Sequence, residues 1–429
     1  MRKVKVLLIT SMPWRNDNNI GNSYSNLFGS LDNVEFAHIY CREGMPQNAI
    51  CHRYFQITEK SLIKNLKNRK SPTGKAFYLK DAMDTPMDIH SAAYDKLRVM
   101  RWQIFFIARD LIWKVGRWRT PELDKFVEDF KPDLIFGTFT YMPNINEMMI
   151  HLKDKFNLPL ILYSWDDVYS LRHYSLSPFF WIRKFYQRYY MKKCAQKCEF
   201  MYTISKEMKN EYHDYFHKEC RMLYKGYDFI GEAPVKAKVE TPIQLVFMGN
   251  IGAGRWKALA KLVKALGEIN QNAPLAFLNI YTLSPKTDEM LKVLQSEGTS
   301  KVNDVVPNDE VMKVQRDADI LIHVEPYVKA DVSFYRLSFS TKLVDYFYNA
   351  RCIIALGGKT ASMSYLEEND CGLVFYDLSK LKSSLEDLFH SPDKILDYGK
   401  KSWDCGQRNH QRITILNELK NTFDNYAKE

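Results

Sequence analysis

The sequence predicts an α/β chain of two domains in tandem, each built around a parallel sheet. Three observations carry this. Strand-like apolar runs alternate with helix-like segments through both halves, as parallel sheets with helical crossovers require. At 429 residues the chain is too long for one ordinary domain. Residues 228–242 lack periodicity, carry Gly231, Pro234 and Pro242, and read as a linker. The expected division is 1–228, 243–408, and a closing helical segment 409–429.

In the first half, residues 4–9 form an apolar strand run. Residues 133–136 follow Lys131-Pro132, and 160–163 follow Pro159. Residues 200–204 make a fourth strand, leading to Ser205 and a helix from 206. The second half restarts with strand 245–248, a glycine-bearing loop and a helix over 257–266. Strand 277–281, helix 288–295, helix 309–316 and strand 320–324 follow. Residues 340–355 then read as a short helix passing directly into a buried strand. Leu343, Val344 and Phe347 share one helical face, and Ser340 suits the N-cap. Cys352-Ile353-Ile354-Ala355 suits a parallel strand covered on both faces.

Hydrophobic residues make up 46% of the chain, enough for sizeable cores and against disorder. No apolar run reaches the ~20 residues of a membrane span. Residues 1–10 do not read as a secretory signal, because their apolar run is short and leads into a polar loop. The eight cysteines include no CxxC pair. Cys194 and Cys198 stand one helical turn apart without a His or further Cys at zinc spacing. Reduced thiols in a cytoplasmic protein are expected. The net charge of +10 is one-sided: residues 1–228 hold 36 Lys and Arg against 25 Asp and Glu, the remainder 25 against 26. The first half is therefore expected to face something anionic.

Gly249-Asn250-Ile251-Gly252-Ala253-Gly254-Arg255-Trp256-Lys257 lies between a strand and a helix. Glycines there let a backbone approach a phosphate, and a plain strand-to-helix turn accounts for them as well. Arg255 and Lys257 add cations at the helix N-terminus and favour a diphosphate. The helix at Ser340-Thr341-Lys342 offers amides, hydroxyls and a cation to a phosphate. Asp345, one turn on, would reach a ribose; a local Lys342–Asp345 ion pair is the competing reading. Asp166 and Asp167 follow strand 160–163, where paired acids serve either an acceptor hydroxyl or a helix cap. Asn18-Asn19-Ile20-Gly21-Asn22 after the first strand is a simple turn or a site of close ligand approach.

Other motifs are discounted. Asp317-Ala318-Asp319 has the D-x-D form of a metal motif but lies at a helix-to-strand junction, so no metal is expected. Ser71-Pro72-Thr73-Gly74-Lys75-Ala76 lacks the earlier glycine of a phosphate loop. Two segments mix cations and aromatics: 98–119, and the acid-free window between Asp167 and Glu199. Both suit an anionic membrane interface; single-stranded nucleic acid and ordinary amphipathic helices are the alternatives.

With those residues in place, the chain resembles the GT-B fold glycosyltransferases, most closely glycosyltransferase family 4 and its relatives in bacterial capsule and O-antigen clusters. Ser340 to Tyr346 is similar to that family's P-S-K-L-x-E-Y helix, and Ala350 to Ala355 to its G-x-P-V-I-A strand. Gly249 to Lys257 resembles its donor-diphosphate loop, and Val305-Val306-Pro307 its nucleobase loop. Tyr202 to Ser205, Lys225 to Asp228 and Gly372 to Phe375 resemble its x-T-V-S, N-G-V-D and G-L-L-V stretches. The departures are Leu337 where a first glutamate stands, Asp345 for the second, Asn250 for an arginine, and Ala350 and Cys352 for Gly and Pro.

The resemblance implies two Rossmann-like domains facing across a cleft, with residues 409–426 crossing back to the first. It implies a hexosyl transfer, retaining and without a bound metal or resident cofactor, from a nucleotide-diphospho-sugar. Arg255, Lys257 and Lys342 would stabilise the departing diphosphate, and Asp345 would hold the ribose. Gly249, Asn250, Gly252, Ser340 and Thr341 would line the donor, with Val306 at the base and Gly21 from the first domain. Asp166 or Asp167 would serve the acceptor. That acceptor is expected to be a saccharide, lipid-linked, at the anionic inner face of the cell membrane, for capsule or lipopolysaccharide. Nucleic acid is not an expected partner. A non-catalytic nucleotide-sugar-binding subunit and a sugar-nucleotide epimerase are the alternatives.

Overall fold

Apolar strand runs decide where the two sheets form. The structure, a computed structural model, describes residues 2–16, 19–79, 103–304 and 306–427. The sequence readings at Asn18, Val305 and residues 98–102 lie outside them. The chain divides into two compact units: residues 1–223 with 415–429, and residues 224–414.

Unit 1 contains β1 (Val4–Thr10), β2 (Val34–Tyr40), β3 (Arg53–Ile57), β4 (Gly74–Tyr78), β5 (Leu134–Thr138), β6 (Leu160–Ser164), β7 (Phe200–Thr203) and β8 (Cys220–Met222). They form one sheet in the order β4-β3-β2-β1-β5-β6-β7-β8. Every neighbouring pair is parallel except β3 with β4, so the edge strand β4 departs from the expected parallel sheet. The central strands β5 and β6 are buried at every position, as strands covered on both faces should be. The core gathers Val6, Leu8, Phe136 and Ile161 with Tyr24 and Phe28 of the helix Asn19–Phe28. Leu419 and Phe423, from the helix Arg412–Asp424, complete it. Tyr202 donates its hydroxyl to Glu418 at 2.8 Å and lies 2.8 Å from the Thr422 hydroxyl.

Unit 2 contains β9 (Ile243–Met248), β10 (Ala276–Tyr281), β11 (Ser300–Asn303), β12 (Ile320–Val324), β13 (Cys352–Leu356) and β14 (Leu373–Phe375). Its sheet, β11-β10-β9-β12-β13-β14, is parallel throughout. Leu245, Leu278, Ile320 and Ile354 pack with Leu259, Leu262 and Leu266 of the helix Arg255–Ile269. The strand order reverses between β9 and β12, and ligands of such sheets bind outside the carboxyl ends of the strands at that point.

Residues 228–242 have no regular structure, yet they are tied to unit 2. Phe229 packs on Trp403 at 5.0 Å between ring centroids, and Arg351 donates to the Pro234 carbonyl at 2.8 Å. The helical segment expected over 409–426 is interrupted: Pro392–Asn409 and Arg412–Asp424 are separate helices. Asp319 of the D-x-D sequence has a structural role, accepting from the Gln244 amide at 2.8 Å and from Lys236 at 2.5 Å. All eight cysteines are free and buried.

Because Phe423 is fully enclosed in the unit-1 core, Phe423→Ala is expected to lower stability by about 3–5 kcal/mol, read by urea unfolding. A loss under ~1 kcal/mol would mean the closing helix contributes little to that core.

Candidate functional site

The loop after β9 is shaped by its own hydrogen bonds. Gly249 donates its amide to the Tyr281 carbonyl at 3.0 Å. Asn250 accepts from the Gly252 amide at 2.6 Å and the Ser284 hydroxyl at 3.0 Å. Ala253 and Gly254 both take left-handed backbone angles, φ 52° and 74°. Gly254 caps the helix Arg255–Ile269 without a side-chain bond. The first amides of that helix are closed by the loop: Arg255 donates to Gly252, Trp256 to Ile251 and Lys257 to Gly254. These three amides are therefore engaged in an internally braced turn, and anion binding at this loop falls to side chains and the helix dipole.

Two cations meet at this loop. Lys342 donates its Nζ to the Met248 carbonyl at 3.1 Å. It crosses Gly249 so closely that a Cβ there would lie 2.9 Å from the ammonium. Lys342 is exposed as a residue, while the protein around its ammonium desolvates the charge. That enclosure, together with the like charge of Arg255, lowers its pKa from the usual lysine value; Asp345 opposes the shift. Arg255 donates its Nε to the Val324 carbonyl at 3.2 Å and lies over the Tyr335 ring, 4.4 Å from the centroid.

Glu325, immediately after β12, supplies the countercharge. Its carboxylate lies 3.6 Å from Arg255 and 3.1 Å from His323 Nε2, and all three side chains are largely buried. Gly357, at the end of β13, takes φ 138°, and a Cβ there would lie 2.4 Å from the Glu325 carbonyl. Only glycine suits that crossing. Sequence reasoning missed Glu325 and His323. The available signal was an acid directly after a strand at the reversal point.

Asp345 does not pair with Lys342. Its Oδ1 accepts from Lys225 at 2.5 Å and from the Tyr227 hydroxyl at 2.6 Å. Tyr227 stacks on Tyr348 at 4.5 Å, and burial followed by the Asp345 charge raises its pKa. The cap expected at Ser340 is corrected as well. The helix is Lys342–Tyr348, its cap residue is Thr341 with an already helical φ of −61°, and no side-chain bond closes it. Ser340 instead donates its amide to the Ser362 hydroxyl at 2.9 Å.

The remaining sequence candidates are dispersed. Lys257 is exposed, its ammonium 5.7 Å from the Trp256 ring centroid. Val306 follows β11, two strands from β9 in the sheet. In unit 1, the close approach at Gly21 is taken by the chain's own Arg15 carbonyl, 2.0 Å from an added Cβ. Asp167 is buried and holds Ser170, accepting from its amide at 3.2 Å and its hydroxyl at 2.7 Å. Asp166 is exposed, with its carbonyl accepting from Tyr212 at 3.2 Å. The two acids thus have separate surroundings rather than forming a pair.

The chain matches no family profile. It matches no curated protein either. Its fold does match solved structures. HepE of Anabaena, solved with UDP-glucose, is similar at TM-score 0.60 and 10% identity, over 98% of this chain and 99% of that one. A glycosyltransferase of Rickettsia africae is similar at 0.59 and 11%, over the full length of both. The pneumococcal O-GlcNAc transferase GtfA, solved with UDP and GlcNAc, gives 0.50 and 12%, over 72% of this chain and 60% of that one. At such identities the likeness is one of fold: two α/β units with parallel sheets, the GT-B architecture.

Two outcomes test the site's electrostatics. A double-mutant cycle with Glu325→Gln and Arg255→Met is expected to show about 1 kcal/mol or more of coupling in urea unfolding; additive effects would contradict the pairing. A lysine whose folded pKa lies below its ordinary 10.5 binds fewer protons folded than unfolded, so its charge opposes folding until pH passes 10.5. Lys342→Met is therefore expected to leave stability at neutral pH equal to or above that of the native chain. A clear fall would contradict the account.

Proposed function

We propose that this chain is a glycosyltransferase that takes a sugar from a nucleotide-diphospho-sugar. One observation carries the reading: Lys342 Nζ on the Met248 carbonyl and Arg255 Nε on the Val324 carbonyl bring two cations to the carboxyl ends of β9 and β12. Like charges brought near one another, with Asp345 bonded to Lys225 and Tyr227 rather than to Lys342, favour an anion there. A diphosphate supplies the charge, and the fold neighbours HepE and GtfA were solved with UDP-glucose and with UDP.

In this reading an acceptor hydroxyl oxygen bonds to the sugar's anomeric carbon as the bond from that carbon to the diphosphate oxygen breaks, and the hydroxyl's proton passes to the departing diphosphate. The electron pair leaves with the diphosphate, and Lys342 and Arg255 stabilise that growing charge. The reading assigns Asp345 Oδ2 to the ribose, since Lys225 and Tyr227 both engage Oδ1 and hold the carboxylate in place. It includes a retaining transfer without a metal or resident cofactor. The acceptor is a lipid-linked saccharide of surface polysaccharide synthesis, met at the cytoplasmic face of the membrane, with Asp166 on the acceptor side. Val306 faces the base and Lys257 the outer mouth of the donor site.

A second reading has a specific observation behind it. Leu337 occupies the place of the family's first glutamate and is 2% exposed, so that position offers the donor no carboxylate. A subunit that binds nucleotide sugar without turning it over would have that feature.

A thermal-shift series with UDP-glucose and related nucleotide sugars tests the function. One donor is expected to raise the unfolding midpoint, and Lys342→Ala or Arg255→Ala to abolish the rise. With that donor and a lipid-extract acceptor, either substitution should cut sugar transfer by about two orders of magnitude or more. A shift without transfer supports the binding subunit; no shift with any nucleotide sugar overturns both readings.

A further inference from the structure

The helix Pro178–Lys197 is built inside out over its first turns, while its buried face continues with Met191, Cys194 and Ala195 over the later ones. Its buried face carries Lys184 and Gln187, each 5% exposed, while Ile182, Phe185 and Tyr189 stand 65%, 56% and 61% exposed. These three recur at helical spacing on one side, and Phe179 extends the row one turn earlier. The loop leading into the helix adds Tyr174 and Leu176, 74% and 87% exposed. A water-facing helix has the opposite pattern, apolar in and charged out.

The inward lysine is accommodated deliberately. Lys184 donates to the Val168 carbonyl at 3.0 Å, and burial brings its pKa down to about 8. The first turns are thus seated through polar groups and the later ones through Met191, Cys194 and Ala195, while the apolar row is presented outward. The charges that the segment itself carries are cationic, two of them paired with acids of other helices, Arg183 with Asp110 and Lys197 with Asp154. Arg172, Lys192 and Lys193 are exposed, and no acid occurs between Asp167 and Glu199.

The second basic-aromatic segment differs. In the helix Gln103–Val115, Trp113 is buried and donates to Glu59 at 3.0 Å, and Asp110 there pairs with Arg183 at 2.9 Å. Trp118, beyond that helix, is buried too. Much of its aromatic and charged content serves internal packing.

We infer that the outward row of helix Pro178–Lys197, with the loop before it, docks this protein on an anionic lipid bilayer. The row enters the headgroup boundary, and Arg172, Lys192 and Lys193 meet lipid phosphates. Aliphatic Ile182 and Leu176 suit acyl chains and offer no stacking surface to a nucleobase. Among the described residues no helix is long and apolar enough to cross a membrane, so the contact lies in the interface plane. This assignment gives the membrane part of the proposed function its face and rests on that reading for its purpose.

Co-sedimentation of the full chain with phosphatidylcholine vesicles, with and without phosphatidylglycerol, tests the assignment. The native protein is expected to bind the anionic vesicles and to dissociate as salt rises. The Ile182→Ser, Phe185→Ser, Tyr189→Ser triple variant should lose on the order of 100-fold in partition. Lys192→Glu with Lys193→Glu should weaken binding at low salt, and exposed Ile230→Ser, in unit 2, should leave it unchanged. Native-like binding by the triple variant overturns the assignment. So does no binding by the native chain, a dimer that the triple variant dissolves, or an oligonucleotide bound in place of vesicles. The UDP-glucose thermal shift, read on the same proteins, belongs to the donor site. Its loss with vesicle binding intact sinks the proposed function and not the docking face.

Discussion

At the carboxyl end of β9 the chain holds a lysine ammonium against the Met248 carbonyl with a second cation, Arg255, nearby, and the geometry around it follows from that constraint. A cation so placed needs a polar partner, and the Met248 carbonyl provides it. On its way it passes over Gly249, where a Cβ would lie 2.9 Å from the ammonium. Arg255 raises the electrostatic cost and Asp345 lowers it, while Glu325, at the end of β12, pairs with Arg255. The backbone that positions Glu325 passes so near β13 that Gly357 must stand there, at a φ few other residues adopt. Each of these residues can be read as a consequence of keeping positive charge at the point where the strand order reverses.

Asp345 obeys the same logic from the other side. A carboxylate one turn into the helix Lys342–Tyr348 pairs with Lys225 and Tyr227 rather than with its near neighbour in sequence. Lys342 is thereby left bound to a neutral carbonyl. Local pairing at three-residue spacing is worth only about 0.2–0.5 kcal/mol, so a buried partner from a distant segment readily displaces it.

What the sequence made legible follows the physics of burial. β5, β6, β12 and β13 are buried at every position, so each appears as a continuous apolar run. β4 is an edge strand whose side chains are mostly exposed, and β8 is three residues long; neither leaves such a run. In β2, the polar His38 interrupts the pattern because its ring pairs with the Thr10 hydroxyl inside the core. At the site, the loop and Lys342 were legible because glycines and cations cluster in short spans. The Arg255–Glu325 and Lys225–Asp345 pairs were not, because 70 and 120 positions separate their members in the chain. Ser340 had the right chemistry for a cap, yet the turn into the helix engages its backbone instead. The helix Pro178–Lys197 is the reverse case: its composition announced cations and aromatics, but only the packing shows that Lys184 turns inward while Ile182, Phe185 and Tyr189 turn outward.

The most direct test of the central claim is a crystal structure with UDP-glucose bound. The account predicts the diphosphate between Lys342 Nζ and the Arg255 guanidinium, oxygens within about 3 Å of both, and the ribose at Asp345. A nucleotide bound away from β9 and β12, or a diphosphate touching neither cation, would contradict it.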